Sequence, residues 1–316
     1  MLKLFSGNRT IVLLLLPLFL GLFHFLNITT RFYTTDSNVF GYWDGFLKAS
    51  MFNTNLCATL LVLINAIVLN RIFNKSNFFD RITYLVAPCY VVFISFFGIS
   101  FTLNGVLVAH FFLILMIQQL FNLNQNETRI STVFNIMLFG GLASSVLPAL
   151  IFMLPFVLGI VRFMRPLSFR EIIVGILASA LPFFYHLSVI YLLDWPSLDV
   201  SLYPEKGLLR ADWLVVLGVL FFASIIGFVA FVSQWQKSAI RSKRQFQMLL
   251  VLFIVLLLIS IFYMLSFQQI SFFSLLLLPL CLLLPFAFRS ETLGMASSGV
   301  FYLLLSFSVI KFFIFS

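Results

Sequence analysis

Two carboxylates, Asp36 and Asp44, lie eight residues apart in the polar stretch Thr34-Thr35-Asp36-Ser37-Asn38-Val39-Phe40-Gly41-Tyr42-Trp43-Asp44-Gly45. One carboxylate could serve as the base that deprotonates an acceptor hydroxyl, or the pair could hold a divalent metal. Tyr42 and Trp43 suit a sugar-stacking platform, although aromatic belts at membrane surfaces use the same residues without chemistry. A second polar stretch runs from Asp194-Trp195-Pro196 to Arg210-Ala211-Asp212-Trp213. Within it, Lys206 and Arg210 are of the type that binds a lipid phosphate; alternatively they snorkel over the rim of a helix bundle. A third polar stretch is Arg165-Pro166-Leu167-Ser168-Phe169-Arg170-Glu171. Arg-Pro stops one helix, and Ser168, three residues before Glu171, offers a capping box for the next. Arg165, Arg170 and Glu171 are thus expected to meet anionic headgroups or to serve the turn itself.

The remaining reactive side chains are scattered. His24, His110 and His186 fall in separate apolar runs without HxxxH or HxxE spacing, so each is expected to hydrogen-bond a neighbouring helix. Asn65, Asn104, Asn135, Gln118 and Gln119 are read in the same way, as interhelical hydrogen-bond partners. Cys57, Cys89 and Cys281 are far apart and lack CxxC spacing, which predicts inert thiols in an apolar setting. No cofactor is specified; a divalent metal on the paired aspartates is allowed but not required.

The elements that would position these groups are set by composition. Of 316 residues, 62% are hydrophobic and only 9% charged, and the mean hydropathy is +1.13. Soluble domains carry about 25% charged residues, so a water-facing surface cannot be built from this chain. A helix needs about 20 apolar residues to cross the hydrocarbon. Runs of that kind lie near 11–27, 56–73, 83–100, 103–121, 132–145, 147–164, 172–194, 212–234, 247–266, 269–288 and 294–315. The fold class is therefore an all-α polytopic bundle of about eleven spans in a single transmembrane domain, 1–316. The stretch Gly140-Gly141-Leu142-Ala143-Ser144-Ser145 followed by Pro148 reads as the break between spans five and six.

Charge fixes the orientation. With the N-terminus in the cytoplasm, the inside segments hold Lys3, Arg9, Arg71, Lys75, Arg81, Arg129, Arg162, Arg165, Arg170, Lys237, Arg241, Lys243, Arg244 and Arg289. Only Arg31, Lys48, Lys206, Arg210 and Lys311 fall outside, which is the positive-inside bias of an inner-membrane protein with its C-terminus outside. The +9 net charge is thereby assigned to topology and anionic lipid, and nucleic acid is excluded as a partner. Two outer segments, 28–55 and 195–211, are long enough to have structure of their own.

A series of short motifs carries a resemblance. Asn74-Lys75-Ser76-Asn77, Phe134-Asn135-Ile136, Gly140 to Ser145, Arg165 to Glu171, then Gly175 and Pro182 resemble, in order and spacing, an uncharacterised inner-membrane family of Bacteroidota, domain of unknown function 6427. The likeness is best over about 70–190. It implies a compartment and no reaction. A fainter similarity is to membrane glycosyltransferases of the C superfamily (GT-C), which use polyprenyl-phosphate sugars as donors. In those proteins a catalytic carboxylate sits on a long outer loop after the first span, the place taken here by Asp36 or Asp44. The connection Phe101-Thr102-Leu103-Asn104-Gly105 lacks the second acid that many members carry. Three function classes follow: a lipid-linked sugar transferase or a degenerate relative, a non-enzymatic subunit of an envelope assembly with other membrane proteins as partners, and, last, a transporter.

Overall fold

The computed structural model describes residues 13–30, 54–76, 78–79, 82–123, 130–192, 210–237, 240–267, 269–289 and 294–314. Among these the chain is all-α, with eleven α-helices and no strand. They are α1 Leu15–Thr30, α2 Thr54–Lys75, α3 Val86–Ile94, α4 Gly105–Phe121, α5 Ile130–Val146, α6 Leu154–Met164, α7 Phe169–Leu192, α8 Arg210–Lys237, α9 Ile240–Phe267, α10 Leu277–Arg289 and α11 Gly294–Ile314. Helices are what so apolar a chain must form, because in hydrocarbon each backbone N–H and C=O has to be paired within its own segment. By length and apolarity, five stretches are able to cross a membrane: Thr54–Lys75, Phe169–Leu192, Leu214–Val232, Ser242–Phe267 and Ser271–Phe288. The other apolar helices are shorter.

The third expected span, 83–100, is not one helix. α3 is nine residues long, each of them buried, and the chain then turns through a 3₁₀ segment, Gly98–Ser100. Breaks of this kind orphan backbone groups, and Asn104 satisfies them. Its Oδ1 caps α4 by accepting from Leu107 N at 2.9 Å, while its Nδ2 donates to the carbonyls of Ile99 at 3.0 Å and Thr102 at 2.8 Å. Asn104 is therefore a cap, where the sequence suggested a bond between helices. A similar 3₁₀ stretch, Ser271–Leu276, leads into α10. There the Ser260 hydroxyl of α9 is shared between two carbonyls, Leu256 of its own helix at 2.8 Å and Phe272 at 2.9 Å.

The break between the expected spans 132–145 and 147–164 falls at Leu147-Pro148, and the glycine-rich stretch before it, Gly140 to Ser145, stays helical inside α5. The physical reason is packing. A Cβ on Gly141 would lie 2.6 Å from the Ser179 carbonyl oxygen and 2.9 Å from its Cα, so the missing side chain lets the α5 and α7 backbones touch, as small residues do between membrane helices. Gly175 faces Val133 and Met137 in the same seam, and it also meets Leu158, whereas Gly140 faces Leu154. α5 and α7 thus run parallel in direct contact, and α6 is the antiparallel return that connects them in sequence.

Aromatic contacts define one end of the bundle. Phe78 touches Phe73 at the end of α2, Phe121 at the end of α4, Phe246 at the start of α9 and Phe286 near the end of α10, with ring centroids 5.2 to 5.8 Å apart. Phe288 meets Phe301 of α11 at 5.4 Å nearby. At the other end the last turns of α1 and α11 meet the α3–α4 connection: His24 packs on Phe101 at 5.2 Å and Phe101 on Phe312 at 6.1 Å. α3 and the Ser271–Phe288 stretch occupy the centre, whereas Phe184, Tyr185, Leu187, Tyr191 and Leu192 of α7 face outward.

Candidate functional site

The chemistry-bearing groups of the described residues gather in three places. The first is the end of the bundle opposite the phenylalanines. Lys311, three residues before the end of α11, is 3% exposed. Its Nζ donates to the Ser95 carbonyl just past α3 and lies 4.7 Å from the ring centroids of both Phe96 and Phe312. The unwound backbone after α3 is what frees that carbonyl. Rings on two sides complement an ammonium through their negative faces. Beside it, Thr59 of α2 and His24 of α1 are 2.8 Å apart. The Thr59 hydroxyl also reaches the Asn55 carbonyl at 2.8 Å and His24 also bonds the backbone of Ser100, so the direction of the His24–Thr59 bond follows the imidazole tautomer. His24 lies six residues before the end of α1, about 9 Å along the helix. Segment 31–53, with Asp36 and Asp44, springs from these same two helices.

The second is a buried wire in the middle of the bundle. Asn65 Nδ2 donates to the Tyr90 hydroxyl at 3.4 Å, and Tyr90 is 2.9 Å from His110 Nδ1. His110 Nε2 is 3.2 Å from Ser274 Oγ, which itself donates to the Ser271 carbonyl at 2.6 Å. Because Ser274 has spent its only proton, His110 must donate from Nε2 and accept from Tyr90 at Nδ1. Every hydrogen in the chain then points one way, from α2 through α3 and α4 to the turn before α10. His110 is fully buried.

The third is the turn between α6 and α7. Arg165 and Glu171 form an ion pair of 2.7 Å with both side chains 2% exposed. Glu171 also accepts from Ser168 N at 2.9 Å while Ser168 Oγ accepts from Glu171 N at 3.3 Å, the reciprocal arrangement of a capping box. Arg170, beside them, is exposed. Not far along the same end, Asn74 brackets Thr83 by a pair of bonds to its N–H and C=O, at 3.0 and 2.9 Å. That bracket ties the end of α2 to Thr83.

A model of the family described as "Family of unknown function (DUF6427)" matches residues 1–315. The chain belongs to that family. No curated protein and no solved structure matches it. The family match runs well beyond 70–190, where the motifs are most legible, and takes in both bundle ends of this DUF6427 chain.

Of the residues singled out from sequence, Asp36, Asp44 and Lys206 lie outside the described residues. Arg210 begins α8, and its side chain lies outside them as well. Arg165 and Glu171 are brought together; Arg170 is not part of their pair. His24 and His110 each bond a neighbouring helix, and His186 lies apart from both, on α7. Cys89 and Cys281 are buried thiols, whereas Cys57 is only half-buried. Among the described residues no group of three or more His, Cys, Asp or Glu could hold a metal. Lys311, Tyr90 and Ser274 were missed. Tyr90 and Ser274 carry no sequence signal, and Lys311 looks like any cation in the last turn of an apolar helix.

Proposed function

We propose that this is an eleven-pass protein of the bacterial inner membrane, N-terminus inside and C-terminus outside, that handles a polyprenyl-phosphate-linked sugar at the outer face as a GT-C-like transferase or a degenerate relative. The observation that carries the reading is Lys311. It is a buried cation at the bundle end from which the Asp36 and Asp44 segment springs, and a lipid-linked donor needs a cation for its phosphate. In the transfer, an acceptor hydroxyl oxygen bonds to the anomeric carbon while the bond from that carbon to the phosphate oxygen breaks. Asp36 or Asp44 takes the hydroxyl proton, and the leaving phosphate keeps the electron pair and is held by Lys311, joined by Lys206 or Arg210. A divalent metal on the aspartates is compatible with this scheme and not required by it.

The second reading, a non-enzymatic subunit or scaffold of an envelope assembly, is favoured by the Asn65–Tyr90–His110–Ser274 wire. Its bonds run from Asn65 through Tyr90, His110 and Ser274 to the Ser271 carbonyl and so tie α2, α3, α4 and the turn before α10 together. The transporter reading ranks last. Interrupted helices are what such proteins use, but here the amide of Asn104 already satisfies the interrupted backbone after α3.

The deciding experiment compares lipid-linked sugars and surface glycans by mass spectrometry in wild type, a deletion strain, and deletions complemented with Asp36→Asn plus Asp44→Asn or with Lys311→Met. A glycan short of one sugar in the deletion, restored by wild type and by neither inserted variant, supports the transferase. Unchanged glycans in the deletion would sink it and leave the scaffold, which predicts stable co-purification with other membrane proteins.

A further inference from the structure

An open apolar groove of about 510 Å³ lies on the side of the bundle near the phenylalanine end, lined by Phe163 of α6, Phe231, Val232 and Trp235 of α8, and Gln247, Leu250 and Val251 of α9. Its volume is within the range of small-molecule sites, about 300–1,000 Å³. Phe163 and Val232 are exposed on its rim while Phe231 closes its floor. Among the described residues, the charges that adjoin its lining in sequence are all basic. Lys243 and Arg244 precede Gln247 by four and three residues on α9, and that spacing puts both on the helix face that continues to Leu250 and Val251. From Lys243 to Val251 is about 12 Å along the helix, the layout of a headgroup contact followed by a chain contact. Arg162 lies in the last turn of α6 next to Phe163, and neither α6 nor α9 contains an acid. The nearest carboxylate by sequence on the adjoining turn, Glu171, is held by Arg165.

From this juxtaposition we infer that the groove between α6, α8 and α9 is a binding site for an anionic phospholipid, with an acyl chain along Phe231, Trp235 and Leu250 and the phosphate on Lys243 and Arg244. The site is separate from the proposed sugar-lipid site, and neither depends on the other. Trp235 lies in the groove wall and reports occupancy directly. The full chain is reconstituted in phosphatidylcholine bilayers, and tryptophan fluorescence is followed while brominated phosphatidylglycerol or brominated phosphatidylcholine is added. Each basic side chain near the surface is worth about a fivefold preference for anionic lipid. Brominated phosphatidylglycerol should therefore quench at a mole fraction at least about fivefold lower than brominated phosphatidylcholine. Lys243→Gln with Arg244→Gln should erase that difference, and Trp235→Phe should erase it too, leaving only the lipid-independent quenching of Trp43, Trp195 and Trp213. Equal quenching by the two lipids, or a preference for the anionic lipid that survives the double variant or Trp235→Phe, would each overturn the site.

Discussion

Where α6 gives way to α7, Arg165 reaches Glu171 across six residues of sequence; at the opposite end Lys311 reaches the Ser95 carbonyl across 216. Both cations are buried. The first is matched at once by a carboxylate, a capping serine and a proline stop that its own turn supplies. The second is received by a carbonyl freed by a broken helix and by two rings, each from a distant part of the chain. Local partners make a turn that holds itself together, which is what a bundle needs at an end built for stability. Distant partners make a place that exists only once the whole bundle is assembled, and such a place is where a ligand charge can be read. The same contrast holds within the middle of the molecule, where His110 and Ser274 are 164 residues apart.

The contrast is broken most severely at the local end. Arg165→Ala leaves Glu171 buried without its cation, at an expected cost of about 3 kcal/mol, read as a fall in the unfolding midpoint in detergent. Replacing both partners, Arg165→Met with Glu171→Leu, should recover most of that loss, since the cost lies in the stranded charge. A double variant as unstable as the single one would mean the turn depends on the charges themselves. Next in size is the α5–α7 seam. Gly141→Ala puts a methyl against backbone that cannot move aside, at about 1–3 kcal/mol. Gly159 has nothing within 4 Å of the same position, so Gly159→Ala should be neutral or stabilising by about 0.5–1 kcal/mol. Similar values for the two glycines would show that the close approach at Ser179 carries no energy.

In the central wire, Tyr90→Phe removes the oxygen that accepts from Asn65 and the proton that goes to His110. The expected cost is about 1 kcal/mol, with the His110 imidazole resonances shifting in NMR because Nδ1 has lost its donor. Unmoved resonances would mean that the proton order derived from Ser274 is wrong. What the sequence made legible follows the same division. The all-helical class, the helix at each apolar run and the Ser168–Glu171 cap depend on neighbours in sequence, and hydropathy or spacing reports them directly. Lys311, Tyr90 and Ser274 meet their partners through the packing of α3, α4, α10 and α11, and no local pattern encodes that. Asn104 and Gly141 fall between. Each was conspicuous as a residue type, but whether an asparagine caps or bridges, and whether a glycine breaks a helix or lets two touch, is decided by what lies across from it.

The smallest effect is expected at the distant end. Thr59→Val deletes the hydroxyl that bonds His24 Nε2 at 2.8 Å. That hydroxyl also reaches the Asn55 carbonyl one turn back, and the carbonyl still receives the backbone N–H of residue 59, which valine keeps. Only one bond between helices is therefore lost, and His24 is half-buried, so its ring nitrogen can turn to water or a headgroup. Bonds of this kind between membrane helices average about 0.6 kcal/mol, and that is the expected fall, checked beside Arg165→Ala in the same detergent. A loss approaching that of Arg165→Ala would place the His24–Thr59 contact among the supports of the bundle, and the two ends would then be built alike. A loss near the small value leaves that end free to be spent on recognition, because residues that contribute little to holding the helices together can be aimed at something else.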